Sequence, residues 1–218
     1  MRRHLIIVGG GGFGREVCDL VAEINQAADG VDDAQTWKLI GVVDDRLSAI
    51  NSVRLVAAGV EQLGGVDDIV GQGERPAYVV GIGSPGVRRQ IADRLDAAGL
   101  QAATLIHPAA TVGSSCQVGV GTIVCAGARV TTNVVLGRHV HLNPNVTVGH
   151  DTVLGDFVSA NPQAAVSGDC TVEDGVLLGA ASVVLQGLTV GTGATVGAAA
   201  CVVRDVPPGV VVKGVPAR

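Results

Sequence analysis

From Ile106 to Val202 an aliphatic or small apolar residue returns at every sixth position, seventeen times in succession. The series runs through Val112, Val118, Val124, Val130, Leu136, Leu142, Val148 and Leu154 and continues unbroken to Val196 and Val202. The residue four places after each aliphatic is small or mid-sized and never charged, from Ala110 and Cys116 to Ala194 and Ala200. A period of six fits neither an amphipathic helix nor an alternating strand. It fits a chain that lays down a flat side, turns a corner and repeats, a β-solenoid with three sides to the coil. Three such repeats make one coil, so residues at equivalent places in successive coils stack on one another. The aliphatic residue is expected to point inward and the small one to sit where the corner is tight. Glycine often follows the aliphatic, as at Gly113, Gly137 and Gly155, where it is expected to supply unusual backbone angles.

Composition agrees with such a prism. Hydrophobic residues make up 47% but aromatic residues only 2%, and a core of stacked Val, Leu and Ala does not need aromatics. The net charge of −5 argues against a polyanion or nucleic-acid partner. Apolar runs are too short to span a membrane. The N-terminal apolar stretch meets glycines at once and reads as a strand and loop, not a signal peptide. The five cysteines form no CxxC pair and have no metal-ligand spacing. They suggest reduced thiols in a cytoplasmic protein, with no metal site.

The preceding half has a different pattern. His4 to Val8 reads as a buried strand, Gly9 to Gly14 as a glycine loop, and Arg15 to Asn25 as a helix with Val17, Leu20, Val21 and Ile24 on one stripe. Gly9, Gly11 and Gly14 match GxGxxG, the turn that brings backbone and a helix N-terminus to a phosphate. Asn25 to Gln35 reads as a polar surface loop. Trp37 to Val43 reads as a second strand ending at Asp44 and Asp45, where acids commonly meet a sugar hydroxyl. A short helix at Leu63 to Val70, a third strand at Ala77 to Ile82, and a helix at Gly86 to Ala98 follow. Arg88, Arg89 and Arg94 are expected on the solvated face of that helix. The expected organisation is a Rossmann-like α/β half domain over 1–104, followed by a parallel β-helix over 105–218 with a C-terminal cap. The first part holds half of a dinucleotide-binding fold, which favours a nucleotide sugar over NAD.

With its N-terminal half and its ending Asp205-Val206-Pro207 to Gly214-Val215-Pro216-Ala217, the repeat resembles the hexapeptide sugar O/N-acetyltransferases. That group includes sialic-acid O-acetyltransferases and UDP-4-amino-sugar N-acetyltransferases. The resemblance implies a left-handed parallel β-helix, acetyl-CoA as acyl donor and a homotrimer with sites between subunits. It implies that Gly11, Gly12, Phe13, Asp44, Asp45 and Gly83 contact the nucleotide sugar, with Phe13 standing where many members carry His. Lys213 and Arg218 read as exposed basic ends without a specific role, a contact to the CoA phosphates being the alternative.

Acyl transfer needs a base, oxyanion donors and aligned substrates. Of five histidines, His150 is the one followed by an acid, Asp151. A carboxylate beside an imidazole can fix its tautomer. The run Val148 to Phe157, VGHDTVLGDF, is similar to the family's segment around its catalytic His and adjacent acid. The family's second His falls at Ser159, so either the Ser159 hydroxyl or His141, one coil earlier, is expected to meet the acyl group. Gly168, one coil after His150, is the expected oxyanion donor. Gly179, Ala180, Ala181 and Ala198 match positions lining the pantetheine groove. The reading is direct acetyl transfer to the amine of a nucleotide-linked 4-amino-4,6-dideoxy sugar. The alternatives are O-acetylation of a sialic acid or related hydroxyl, and a non-catalytic sugar-nucleotide-binding protein. A zinc site of His139, His141 and His150 is disfavoured, because none of these stacks on another.

Overall fold

The computed structural model describes residues 3–28, 36–70 and 75–218. The chain divides into two compact units, Met1–Gly83 with Val87–Leu105, and Ser84–Gly86 with Ile106–Arg218.

In the first unit, β1 (Arg3–Val8) lies between β2 (Trp37–Val43) and β3 (Ala77–Val80), all parallel. Leu5 to Val8 and all of β3 are buried, the continuous apolar pattern of a parallel sheet covered on both faces. Helix α1 runs Gly12–Ala27, starting earlier than the expected Arg15. The glycine run itself winds into the first turn, with Gly11 as N-cap. Val17, Leu20, Val21 and Ile24 are its buried stripe. Asn25, expected as the helix end and the loop start, lies within this helix, and its side-chain amide pairs with both the N–H and C=O of Trp37 at 2.8 Å. Much of the expected surface loop, 29–35, lies outside the described residues. Gly14 lets the helix approach the loop, since a Cβ there would lie 1.7 Å from the Gly9 carbonyl oxygen.

A further helix, α2 (Ala49–Ala57), went unseen in the sequence. Its N-cap Ser48 is an ordinary start signal. Its apolar stripe of Ile50, Val53 and Val56 faces outward, however, and only Leu55 is buried. Helix α3 (Val66–Val70) and, from Val87 on, helix α4 (Pro85–Ala97) also belong to this unit. Arg88 on α4 corrects the expectation of a solvated arginine face. It is fully buried and donates to the carbonyls of Ile82 and Gly83 at 2.8 and 3.2 Å. Burial lowers its pKa to about 9.

The second unit is a parallel β-solenoid. Two-residue strands stack into three sides. The first side starts at Thr111–Val112 and holds six strands, and the second starts at Gln117–Val118 and holds five. The third holds seven, from Leu105–Ile106 to Val211–Val212. Paired strands lie one coil apart in the chain, as in Thr147↔Ala165 and His141↔Ser159. Both the aliphatic position and the residue four later point inward: Val130 and Val134, Val148 and Thr152, Val166 and Cys170 are all buried. The small residue is thus a second core residue. Ile106 departs from the rule and is exposed, while Val112 and Val118 are partly buried, because no coil lies below the first to cover them.

The left-handed backbone position also differs from expectation. The glycines after the aliphatic residues do not hold positive φ. The third residue after the aliphatic does, as at Asn133, His139, Asn145, Asp151 and Asp169. Asn and Asp tolerate that region better than other side chains. Gly137 and its equivalents serve a steric need instead: a Cβ at Gly137 would lie 2.6 Å from the Gly155 carbonyl carbon of the next coil. At the far end, Ala217 N–H donates to the Cys201 carbonyl at 2.7 Å and folds the C-terminal segment over the last coil.

Candidate active site

His150 and Asp151 form the corner that joins the first and second sides of the solenoid. His150 is exposed, and its Nδ1 lies 2.7 Å from Asp151 Oδ2. The other carboxylate oxygen, Oδ1, accepts from Asn133 Nδ2 at 2.7 Å. This donor, followed by His150, holds the Asp151 carboxyl below its ordinary value. An ionised carboxylate only accepts hydrogen bonds, so the neutral ring places its proton on Nδ1 and leaves the Nε2 lone pair free. An imidazole so arranged is equipped to take a proton at Nε2. Asn133 and Asp151 occupy equivalent places in successive coils. Stepping one coil on from Asn133 reaches Asp151, an arithmetic that would have found it.

Gly168 stacks over His150. A Cβ there would lie 2.5 Å from His150 Cε1 and 2.6 Å from Nε2, so any side chain at 168 would push the ring aside. Among the described residues no acceptor takes the Gly168 N–H. Asp169, next in the column of Asp151, completes an exposed cluster in which His150, Asp151 and Asp169 each place a ligand-type atom within 4.8 Å of the others. Nδ1 and Asp151 Oδ2 are already engaged with each other, so a metal there would have to break that pair. His139 and His141 are buried elsewhere and do not join this cluster. His139 stacks on Phe157 with ring centroids 5.0 Å apart.

Ser159 and His141 pair on the third side, across the prism from the His150 corner, and both are buried. Within one chain, neither stands beside His150. Gly179, Ala180, Ala181 and Ala198 lie at another corner, joining the third and first sides. Below them in the same column, Asn143 Nδ2 donates to Asn161 Oδ1 at 3.1 Å, a contact between equivalent places in successive coils. Cys170, inside the coil, donates its thiol to the Leu185 carbonyl at 3.2 Å, in keeping with a packing role. Lys213 and Arg218 are exposed and exchange backbone hydrogen bonds of 3.1 and 3.2 Å.

In the first unit a cleft of about 470 Å³ opens at the C-terminal ends of the three strands, bordered by Gly9, Asp44, Asp45, Arg46, Gln90 and Arg94. Ligands of open α/β sheets bind in this place. Both acids also have local partners. Asp44 accepts from the Gly10 and Arg46 N–H groups, each at 2.7 Å, tying the glycine loop to the end of β2. Asp45 accepts from Val66 N–H at 2.8 Å at the start of α3. Gly11, Gly12, Phe13 and Gly83 do not border this cleft. The Cα faces of Gly11 and Gly83 are open, with no atom within 4 Å of an added Cβ, and that of Gly12 meets only the Arg15 guanidinium at 4.0 Å. No helix among the described residues is long and apolar enough to cross a membrane.

Comparison with known proteins adds to this geometry. The PglD N-terminal domain family matches residues 4–95. A curated UDP-N-acetylbacillosamine N-acetyltransferase of Bacillus subtilis is 30% identical over 128 residues, 57% of this chain. The match covers 52% of that protein, so the chain spans about half the length of this curated relative. The acetyltransferase domain of PglB from Neisseria gonorrhoeae, solved also with acetyl coenzyme A, is 32% identical with a TM-score of 0.86, covering 100% of this chain and 99% of that one. PerB from Caulobacter crescentus, solved with CoA and GDP-perosamine, is 28% identical with a TM-score of 0.81, covering 99% and 96%. Agreement along the whole chain, at this identity and with these local motifs, means that the protein belongs to the hexapeptide-repeat sugar acetyltransferases, the family of the PglB acetyltransferase domain.

Proposed function

We propose that the protein is an acetyl-CoA-dependent N-acetyltransferase whose acceptor is the amino group of a nucleotide-linked 4-amino-4,6-dideoxy sugar, with His150 as general base. The acyl-donor and amino-sugar parts of this reading follow the relatives: the PglB domain binds acetyl coenzyme A, and PerB binds CoA and GDP-perosamine. The observation that carries the choice of base is the exposed imidazole whose Nδ1 is engaged by an ionised carboxylate, leaving Nε2 open.

The neutral amine attacks the thioester carbonyl carbon and its proton passes to Nε2. Asp151 stabilises the imidazolium that forms, and general-base assistance of this kind contributes about 10² to 10⁴ in rate. The unclaimed Gly168 N–H beside the ring is suited to the developing oxyanion. Collapse breaks the C–S bond, and the departing thiolate takes the proton from His150. Asp44, Asp45 and the open glycines Gly11, Gly12 and Gly83, with Phe13, are assigned to the nucleotide sugar. Gly179, Ala180 and Ala198 are assigned to the pantetheine arm. The acyl contact is left to Ser159 or His141.

The base and the small-residue corner stand on different edges of one prism. A site using both draws them from two copies of the chain, which fits a homotrimer with three shared sites. Light scattering is expected to give the three-chain mass. The test of the reaction is thiol release from acetyl-CoA with UDP-, dTDP- and GDP-linked amino sugars and free sialic acid as acceptors. Turnover with an amino sugar that disappears in His150→Ala supports the proposal. Turnover with sialic acid alone, or an unaffected His150→Ala enzyme, overturns it.

A further inference from the structure

We infer that Asn133 is a positioning residue for the base: its side-chain amide holds Asp151 in the orientation that keeps the His150 proton on Nδ1. The inference rests on His150 acting as base. The geometry is that of a relay across two coils. Asn133 Nδ2 donates to one oxygen of Asp151 and His150 Nδ1 meets the other, both at 2.7 Å. With one partner on each oxygen, the carboxylate plane is set. The corner is exposed, so water competes for either oxygen and these two partners are what hold the plane.

The solenoid also fixes where Asn133 stands. Asn133 and Asp151 occupy the same place in successive coils and are both left-handed, with φ of 55° and 57°. Each backbone N–H is anchored to the coil below, Asn133 to the Ser114 carbonyl at 3.0 Å and Asp151 to that of Thr132 at 3.2 Å. The amide is thus delivered by a rigid repeat.

Its chemistry is specific. The left-handed column reads Ser115, Asn133, Asp151, Asp169. Asp169 brings a second carboxylate to the imidazole from the coil above, and Asp151 and Asp169 are the acids that meet His150 in this cluster. A third acid at 133 would repel Asp151, and an apolar residue would leave it unheld. An amide donates to it without adding charge. The Asn133 hydrogen bond is also the largest cause of the lowered Asp151 pKa.

The test uses Asn133→Asp and Asn133→Gly in the full chain. The first keeps size and left-handed tolerance while removing the donor; the second keeps the backbone and removes the side chain. Steady-state kinetics are paired with ¹⁵N spectra of the His150 ring, assigned through His150→Gln. For Asn133→Asp we expect kcat about ten- to a hundredfold lower, with KM for acetyl-CoA within about twofold. The ring is expected to move from the Nδ1–H form toward Nε2–H. Asn133→Gly is expected to fall between wild type and Asn133→Asp in both readouts. Unchanged tautomer in both variants overturns the inference, even if kcat falls, because the loss would then be structural. If wild type turns over no acceptor yet the tautomer shifts in the variants, the coupling stands and the catalytic reading fails.

Discussion

Two corners of the same solenoid show how much a repeat leaves undecided. At the corner joining the second and third sides, the turn N–H groups are capped from the coil above: Arg138 N–H donates to Asp156 Oδ1 at 2.7 Å, and Asp156 N–H to Asp174 Oδ1 at 2.8 Å. At the corner joining the first and second sides the same turn positions are Thr132, His150, Gly168 and Gln186. There the place of the capping Asp is taken by Gly168, and the His150 ring lies where that side chain would be. The backbone is the same. One corner consumes its donors for stability, and the other leaves them open beside an imidazole.

Exchanging the residues should exchange the properties. Gly168→Asp would copy the capped corner onto the candidate site and displace the His150 ring; kcat should fall by about 10³ or more, since the base and an oxyanion donor go together. A thiol-release assay on folded protein reads this. A Gly168→Asp enzyme with wild-type kcat would remove Gly168 and the ring's position from the mechanism.

Asp151→Asn keeps the left-handed turn but offers Nδ1 a group that can donate as well as accept. A loss of about 10² in kcat is expected from the disturbed tautomer, with KM for acetyl-CoA little changed. The pH profile sharpens the point. Asp151 has a lowered pKa in the folded protein, so it stays ionised above the ordinary carboxylate range and loses its charge only as pH falls below it. The acid limb of kcat should therefore follow a single proton, with none contributed by Asp151. A two-proton limb in wild type would show that Asp151 titrates as well.

Arg88 offers a test in the other unit. Its pKa of about 9 lies below the ordinary guanidinium value because burial opposes the charge. The unfolded chain then binds the additional proton between about 9 and the ordinary value, so stability from this group rises with pH across that window and is flat below it. Arg88→Ala removes the donor to the carbonyls of Ile82 and Gly83. It should destabilise the first unit by about 2 kcal/mol, read by calorimetry as a lower melting temperature for that unit.

The reverse exchange of corners, Asp156→Gly, should have the smallest effect. It uncaps Arg138 N–H and should cost about 1 kcal/mol, or about 2–4 °C in melting temperature. Thiol release should be unchanged. If activity instead fell as far as in Gly168→Asp, the two corners would not be separable as described.

Much of this was legible from residue order. The six-residue period named the solenoid, its threefold multiple the stacking, and Trp37 to Val43 read as a strand with the bounds it has. His150 beside Asp151 was visible because the contact is between chain neighbours. The exposed apolar stripe hid α2, because a helix is found by the stripe it buries. Arg88 was misplaced because a charge is buried only when carbonyls from elsewhere receive it.

Local periodicity and neighbouring residue types therefore determined the class of fold, the coil and the candidate base, since each depends on short stretches of chain repeating the same backbone. The tertiary structure alone decided which donors stay open, and that the Asn133 amide, one coil from Asp151 in the chain, turns to its carboxylate. The physical reason is that stacking brings together side chains a full coil apart in the chain, and which of those side chains are present, large or absent is what turns one repeated corner into a cap and another into a site.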